Sequence, residues 1–207
     1  MRKLTVLAGV AALILAAPMA HANLLSNGGL ESSTFDGPFA QLNSGAHLGA
    51  WSVDSGSVDI VNRYWQHAEG RYSLDLNGNT GGRISQSFGT VVGQLYNVSF
   101  SLAGNAEGGG SLKLLDAGVT GVHTFSFDST GRSPSNMGWV TEGFSFVATN
   151  ASSTLYFQGY SKNSAWGAAL DNVSVTAAVP EPANYAMLAA GLGLMGLVAR
   201  RRRARRG

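Results

Sequence analysis

Alternation of apolar and polar residues at every second position is the feature of this chain that most constrains its fold. In residues 72–76 the tyrosine and both leucines would share one face of a strand, while Ser73 and Asp75 would share the other. The longest such run spans residues 95–102. Shorter runs occur at 58–61, 111–114, 124–127, 143–146, 154–157 and 171–175. A period of two residues is typical of strands with one buried face.

Turn-forming residues separate these runs. The segments 77–82, 104–110, 128–131 and 149–152 are rich in glycine, asparagine, serine and threonine, and 23 of the 157 residues at 23–179 are glycine. Glycine supplies positive φ angles, and short polar side chains supply local hydrogen bonds to the backbone. About nine or ten short strands with frequent turns and one apolar face predict an all-β fold built as a two-sheet sandwich.

The distribution of charge excludes one large class of function. Eight of the 14 Lys and Arg residues lie at the two ends of the chain, so residues 23–179 hold six basic and eleven acidic residues, a net charge of −5. A nucleic-acid-binding domain needs a basic surface to neutralise phosphates, and we therefore expect no nucleic-acid partner. The absence of cysteine excludes disulfides, thiol nucleophiles and cysteine-ligated zinc.

Residues 1–22 have the pattern of a secretory signal peptide. Two basic residues at positions 2–3 precede an apolar run at 4–17, and Ala20-His21-Ala22 forms a cleavage site with small residues at its first and third positions. The apolar run is too short for an ordinary membrane span. The sequence therefore predicts cleavage between Ala22 and Asn23 and export of the mature chain.

Residues 179–207 consist of three dissimilar parts. A Pro-Glu-Pro spacer is followed by a mainly apolar segment at 183–199 and by an arginine-rich tail at 200–207. As a helix the 17 residues at 183–199 would reach about 25 Å, slightly short of a bilayer core of about 30 Å. Flanking arginines can snorkel and close that gap, and they favour the cytoplasmic side. The pattern predicts a transmembrane helix over 183–199.

This order of parts resembles the PEP-CTERM sorting signal of Gram-negative bacteria. The resemblance implies that an exosortase in the inner membrane cuts near Pro180, Glu181 and Pro182, while the C-terminal helix holds the exported chain transiently in that membrane. It further implies that the freed protein reaches the outer surface or the extracellular matrix.

A second set of motifs runs through residues 23–178. The motifs are Asn27-Gly28-Gly29-Leu30-Glu31, Gly56 to Val61, Ser73 to Gly78, Ile84 to Phe88, Leu102 to Asn105, Asn136 to Trp139 and Trp166 to Val173. In order and coverage they resemble the choice-of-anchor C domain of secreted bacterial proteins. That domain is similar to a plant cell-wall-associated family and to galactose-binding-like jelly rolls. The resemblance implies an extracellular jelly-roll β-sandwich that binds glycans.

Glu31 and Asp171 lie in the first and last of these motifs. In carbohydrate-binding jelly rolls the two corresponding strands lie near each other, and carboxylates there commonly hold a structural calcium ion. Calcium accepts six to eight oxygen ligands in loose geometry. The resemblance thus implies calcium at Glu31 and Asp171 and no other cofactor. The alternative is that both carboxylates accept hydrogen bonds from backbone amides.

Aromatic and polar residues near residue 65 are the best candidates for sugar contacts, because flat rings cover the apolar faces of sugars and loops often carry function. The predicted glycan site consists of Tyr64, Trp65, His67, Arg71, Asp75 and Gln86. For the last two the favoured alternative is a solvated strand face that leads into an Asn-Gly turn. Further candidate rings are Trp51, Trp139, Tyr160 and Trp166. The three tryptophans adjoin family-like motifs, and the favoured prediction places them in the core.

No catalytic signature occurs in the sequence. It contains no His-Glu-x-x-His motif, no Gly-x-Ser-x-Gly motif and no phosphate-binding loop, because the glycine run at 108–110 lacks the following lysine. We therefore predict a non-enzymatic protein that binds exopolysaccharide or cell-wall glycan. Two alternatives stay open: a structural matrix protein that acts through protein–protein contacts, and a glycan-active hydrolase whose carboxylates meet only in the folded chain.

Overall fold

Two antiparallel β-sheets make up the folded domain. The computed structural model describes residues 22–108, 110–160, 164–178 and 182–204. The strands are β1 (Phe39–Asn43), β2 (His47–Leu48), β3 (Trp51–Ser55), β4 (Ser57–Val61), β5 (Ser73–Asp75), β6 (Arg83–Gly89), β7 (Leu95–Gly104), β8 (Leu112–Gly118), β9 (His123–Asp128), β10 (Val140–Val147), β11 (Ser152–Gly159) and β12 (Ala168–Ala177). Each run of alternation named above lies on one of these strands, so the predicted all-β sandwich is confirmed.

The strand order places sequence-distant strands side by side. One sheet, here called the first sheet, has the order β1-β4-β5-β12-β7-β10, and the second sheet has the order β2-β3-β6-β11-β8-β9. In the first sheet the register aligns Gln41 with Asp59, Asp59 with Asp75, Asp75 with Ala169, and Ala169 with Ala103. Residues paired in this way share a face of the sheet. This row lies on the outer face, opposite the core.

The apolar inner faces of the two sheets form the core. Phe100 of the first sheet meets Phe157 of the second with ring centroids 5.0 Å apart, and Phe157 lies 6.1 Å from the ring of Trp51. Trp51 is buried, as the sequence predicted. The buried apolar residues extend from Leu25 to Val175, so the domain at 23–178 carries its own core.

The first and last motifs of the domain lie against each other, as the resemblance implied. The amide of Val173 donates to the carbonyl of Gly28 at 2.8 Å. A Cβ atom on Gly28 would lie 2.1 Å from the carbonyl oxygen of Val173, which explains why glycine is needed there. Next to this contact, Asn172 has a φ of 48° at an irregularity in the pairing of β12 with β7.

Residues Pro182–Ala204 form one helix, α1, which covers the segment predicted to be helical. In the described part of the chain, no helix combines the length and the apolar character that a membrane crossing requires, so the predicted transmembrane span is not found. The segment 183–199 is short, contains Asn184 and is rich in alanine and glycine, which supply little apolar surface. Residues 1–21 of the predicted signal peptide, and Pro180 and Glu181 of the sorting motif, lie outside the described residues.

Candidate functional site

A cleft of about 220 Å³ lies over the outer face of β1, β4 and β5, and we call it the first cleft. Its floor carries Gln41, Asp59 and Asp75, which stand side by side because of the register described above. The residues that line it are Phe39, Gln41, Asp59, Val61, Tyr64, Trp65, Asp75, Gly78, Asn79, Asn105, Ala165 and Trp166. The cleft therefore combines aromatic rings with carboxyl and amide groups.

The aromatic rings that line the cleft fall into one group of three and the separate ring of Trp166. Tyr64 lies between Phe39 and Trp65, with ring centroids 5.7 and 6.0 Å away. The ring of Trp166 rests on Gly108, where an added Cβ would lie 2.9 Å from ring atom Cδ2. Trp166 is 41% exposed, so the prediction that it lies in the core is wrong. Its contact with Gly108 holds the ring at the rim of the cleft.

A chain of hydrogen bonds fixes the loop that carries Trp65. Nε1 of Trp65 donates to Oγ of Ser73 at 2.7 Å, and the same hydroxyl lies 2.9 Å from Nδ1 of His67. Nε2 of His67 contacts the carbonyl of Asn62. Because a carbonyl only accepts, Nε2 carries the proton and Nδ1 accepts from Ser73. Both ring nitrogens of His67 are thus engaged in positioning the loop.

Asp75 is held by three donors although it is only 2% exposed. The amides of Asn77 and Gly167 donate to Oδ1 at 2.9 and 3.0 Å, and Nδ2 of Asn105 donates to Oδ2 at 2.8 Å. Burial nevertheless raises the pKa of Asp75 to about 7, against the lowering effect of these bonds. The favoured prediction of a solvated face for Asp75 is therefore wrong. Its carboxyl group fixes Asn105 and the backbone beside Trp166.

Asp59 faces the cleft beside Asp75. Among the side-chain atoms of the described residues, Oδ1 of Asp59 is buried and has no hydrogen-bond partner. Burial raises the pKa of Asp59 to about 6. The sequence placed Asp59 on a strand but gave no signal that it would stand opposite Asp75, because that depends on the pairing of β4 with β5.

A second cleft, of about 460 Å³, lies on the same outer face over β7 and β10. It is lined by Gln66, His67, Ala68, Ser101, Asn136, Gly138, Trp139, Val140, Thr141 and Asn172. Nε1 of Trp139 donates to the carbonyl of Gln66 at 2.8 Å, and the amide of Gln66 donates to Pro134 at 2.7 Å. Trp139 was predicted to lie in the core; it packs against the core but is only partly buried. The loop at 64–68 thus contributes to both clefts.

Glu31 and Asp171 hold the chain that follows this loop. Oε1 of Glu31 accepts from the amides of Arg71 and Tyr72 at 3.0 and 2.9 Å. Oδ2 of Asp171 accepts from the amides of Ala68 and Glu69 at 2.9 and 3.0 Å. Asp171 is fully buried, and burial raises its pKa to about 6. These hydrogen bonds from backbone amides are the alternative to calcium binding that the sequence left open.

The donors around these two carboxylates do not fit calcium well. Calcium requires six to eight oxygen ligands, whereas the groups facing Glu31 and Asp171 are amide N–H groups. Within the described ranges, no three or more His, Asp or Glu side chains form a cluster that could hold a metal ion. The calcium prediction stays untested by direct observation.

Of the six predicted glycan residues, the structure brings Tyr64, Trp65 and Asp75 together in the first cleft. His67 lines the second cleft. Arg71 lines neither cleft; its Nε donates to Oδ1 of Asn62 at 3.1 Å. Gln86 lies on the second sheet, where it is buried and exchanges two hydrogen bonds with the backbone of Ser26 at 2.8 and 2.9 Å. The placement of Gln86 in the same site as Asp75 is therefore wrong.

Two family models match parts of this chain. Residues 23–176 match the family described as protein of unknown function (DUF642). The chain belongs to the DUF642 family. DUF642 is the plant cell-wall-associated family that the motifs indicated, and the choice-of-anchor C assignment stays a prediction. Residues 178–203 match the PEP-CTERM protein-sorting motif, which confirms that part of the prediction.

One curated relative and two solved structures are similar to this DUF642 chain. Halomucin of Haloquadratum walsbyi is 33% identical over 162 residues, 74% of this chain, but the chain spans only 2% of Halomucin. The structure of TmCBM61 in complex with β-1,4-galactotriose has a TM-score of 0.50 at 17% identity, over 76% of this chain and 99% of that one. The CBM22-1 xylan-binding domain of Xyn10C from Paenibacillus barcinonensis has a TM-score of 0.48 at 17% identity, over 80% of this chain and 100% of that one. The likeness to TmCBM61 concerns the fold alone, an all-β sandwich that resembles this carbohydrate-binding module.

Proposed function

We propose that this protein is an exported, non-enzymatic glycan-binding protein, and that the first cleft is its binding site. The ligand is an exopolysaccharide or a cell-wall glycan. The observation that carries the proposal is the pairing of the exposed Trp166 ring on one wall with Asp59 and Gln41 on the floor. A flat ring covers the apolar face of a sugar, while carboxyl and amide groups accept and donate hydrogen bonds with its hydroxyls.

The site is built before any ligand arrives. Asp75 orders Asn105 and the amide of Gly167, and the hydrogen bonds of Trp65 and His67 to Ser73 order the loop that carries Trp65. Groups held in this way lose little freedom on binding, which favours affinity. The second cleft continues along the same face of the first sheet, so a polysaccharide chain of several residues is a better match than a single sugar.

The sorting motif supports export and processing. We propose that an exosortase of the inner membrane cuts near Pro180, Glu181 and Pro182 and that the domain at 23–178 is released to the outer surface or matrix. Removal of a predicted signal peptide at 1–22 precedes this step. Expression in a cell with and without an exosortase tests it: the mass of the extracellular protein should end near residue 180 only when the exosortase is present.

Affinity electrophoresis of purified residues 23–178 tests glycan binding. The gels contain β-1,4-galactan, xylan, β-glucan or polysaccharide from the producing cells; galactan and xylan are included because of the ligands named for the two similar structures. We expect at least one polymer to retard the domain. Mobility that is unchanged in every gel contradicts the proposal, and self-association without glycan would favour a structural matrix role instead.

Hydrolysis is the second candidate, because Asp59 and Asp75 face each other and both have a raised pKa. Two carboxyl groups with different environments are the requirement for glycoside cleavage. However, Asp75 is 2% exposed and already accepts three N–H bonds, so it has no free approach to a glycosidic oxygen. Binding without turnover is therefore preferred. Release of reducing ends by the wild-type protein, lost in Asp59→Asn, would overturn this preference.

A further inference from the structure

The described residues that line the first cleft include acidic side chains and no basic ones. Among the described residues that line it, the only formally charged side chains are Asp59 and Asp75. Glu107 lies close enough to Tyr64 to raise the pKa of its phenol, after the larger effect of burial. Glu107 does not line the cleft, but it is a third acidic group in its vicinity.

Among the described residues, the basic groups near the first cleft are engaged elsewhere. Lys113 lies near Asp75, but it is only 1% exposed and its Nζ donates to the carbonyls of Gly108 and Trp166. On the opposite side, Arg63 and Arg71 both contact the carboxylate of Asp36 and do not line the cleft. None of these cations is presented to a ligand in the first cleft.

The charge of Asp59 would act on a ligand in the first cleft. In the described part of the chain, Oδ1 of Asp59 has no hydrogen-bond donor, so at neutral pH the cleft floor holds a negative charge that no described side chain is seen to pair with. Charges interact more strongly in a partly dry cleft than in water, because the effective dielectric constant is lower. A hydroxyl or ammonium group entering the cleft is attracted to this charge, whereas a carboxylate is repelled.

We propose that the first cleft selects glycans by charge: it accepts neutral or amine-bearing sugars and rejects sugars that carry a carboxylate. The inference rests on the proposed function, since it concerns the ligand class of the same site. It separates neutral and amino polysaccharides from uronic-acid polymers, although both are common in cell walls and matrices.

Matched polymers that differ only in charge test the inference. The probes are β-1,4-galactan and β-glucan, each with a derivative whose C6 hydroxyl groups are partly oxidised to carboxylates. The affinity of residues 23–178 for each is measured at pH 8 and at pH 5 in dilute salt, since salt screens such repulsion. At pH 8 we expect the oxidised form of a bound polymer to bind at least about tenfold more weakly than its neutral parent.

Protonation and substitution should both reduce this difference. At pH 5 the floor carboxyls take up protons, while the uronates, similar to α-carboxyl groups with a pKa of about 3.5, stay charged. The tenfold difference should fall to about threefold or less at pH 5 and in Asp59→Asn at pH 8. The matched control is Asp116→Asn on the second sheet, which should keep the wild-type difference.

The outcomes separate the two claims. If the oxidised polymers bind as well as their parents at pH 8, the charge selection is contradicted while glycan binding stands. The same holds if Asp116→Asn reduces the difference as much as Asp59→Asn. If neither polymer binds in either form, while other neutral and amino polysaccharides also fail, the proposed function falls and the inference with it.

Discussion

Replacement of Trp166 by alanine should weaken glycan binding without unfolding the domain. An aromatic side chain of this size presents up to about 250 Å², and Trp166 is 41% exposed, which leaves about 100 Å² for a sugar to cover. If a sugar covers half to all of this area, burial at about 25 cal/mol per Å² contributes about 1.2 to 2.5 kcal/mol. The expected rise in Kd is therefore about tenfold to seventyfold.

Stability should change little in this variant, because the ring is at the rim and its described contacts are mainly with Gly108. Exposed substitutions of this kind shift the unfolding free energy by about 1 kcal/mol or less. Isothermal titration calorimetry with the polymer found by electrophoresis gives Kd, and urea unfolding followed by fluorescence gives the stability.

Tyr160→Ala is the matched control, since Tyr160 is 55% exposed and lines neither of the two clefts. It removes a comparable exposed ring elsewhere, and its Kd should stay within about twofold of wild type. The reasoning is refuted if Trp166→Ala folds normally and binds with unchanged affinity, or if both variants lose affinity equally.

Four further predictions follow from the same contacts. Gly108→Ala should displace the Trp166 ring, since a Cβ would lie 2.9 Å from it, and should raise Kd severalfold while the urea midpoint stays near wild type; equal affinity would contradict the seating of the ring. Asp171→Ala should lower the unfolding free energy by about 2 to 4 kcal/mol, because three amide donors lose a buried acceptor, and a loss below 1 kcal/mol would count against this clamp. Burial raises the pKa values of Asp59, Asp75 and Asp171, so the stability that these three groups contribute is fully present below about pH 4 and is lost as the pH rises through 6 to 7. The urea midpoint should therefore be higher at pH 5 than at pH 8, and the difference should shrink in Asp75→Asn. Addition of EDTA should leave the melting temperature unchanged, because Glu31 and Asp171, the carboxylates predicted to bind calcium, already accept hydrogen bonds from backbone amides. A fall of several degrees would instead support the calcium prediction.

The strands could be predicted because alternation is a local signal. Residues 72–76 show it: Ser73 and Asp75 do point away from Leu74, as the pattern required. The partner of Asp75 could not be predicted, since Asp59 reaches it only through the pairing of β4 with β5. Local patterns carry no information on register between strands.

The positions of the tryptophans could also be predicted only in part. Trp65 was assigned to a candidate loop because polar neighbours surround it in the sequence, but its ring lines the first cleft while only 6% exposed and belongs to the core. Trp166 was assigned to the core from its place in a family-like motif, yet its position depends on Gly108 and Lys113, which are more than 50 residues away.

A crystal structure of residues 23–178 with a bound oligosaccharide would test the central claim most directly. We expect one sugar ring stacked on Trp166, with a hydroxyl or amine within hydrogen-bond distance of Asp59, and further sugars running toward the second cleft. An oligosaccharide bound on the outer face of the second sheet, with the first cleft empty, would contradict the account.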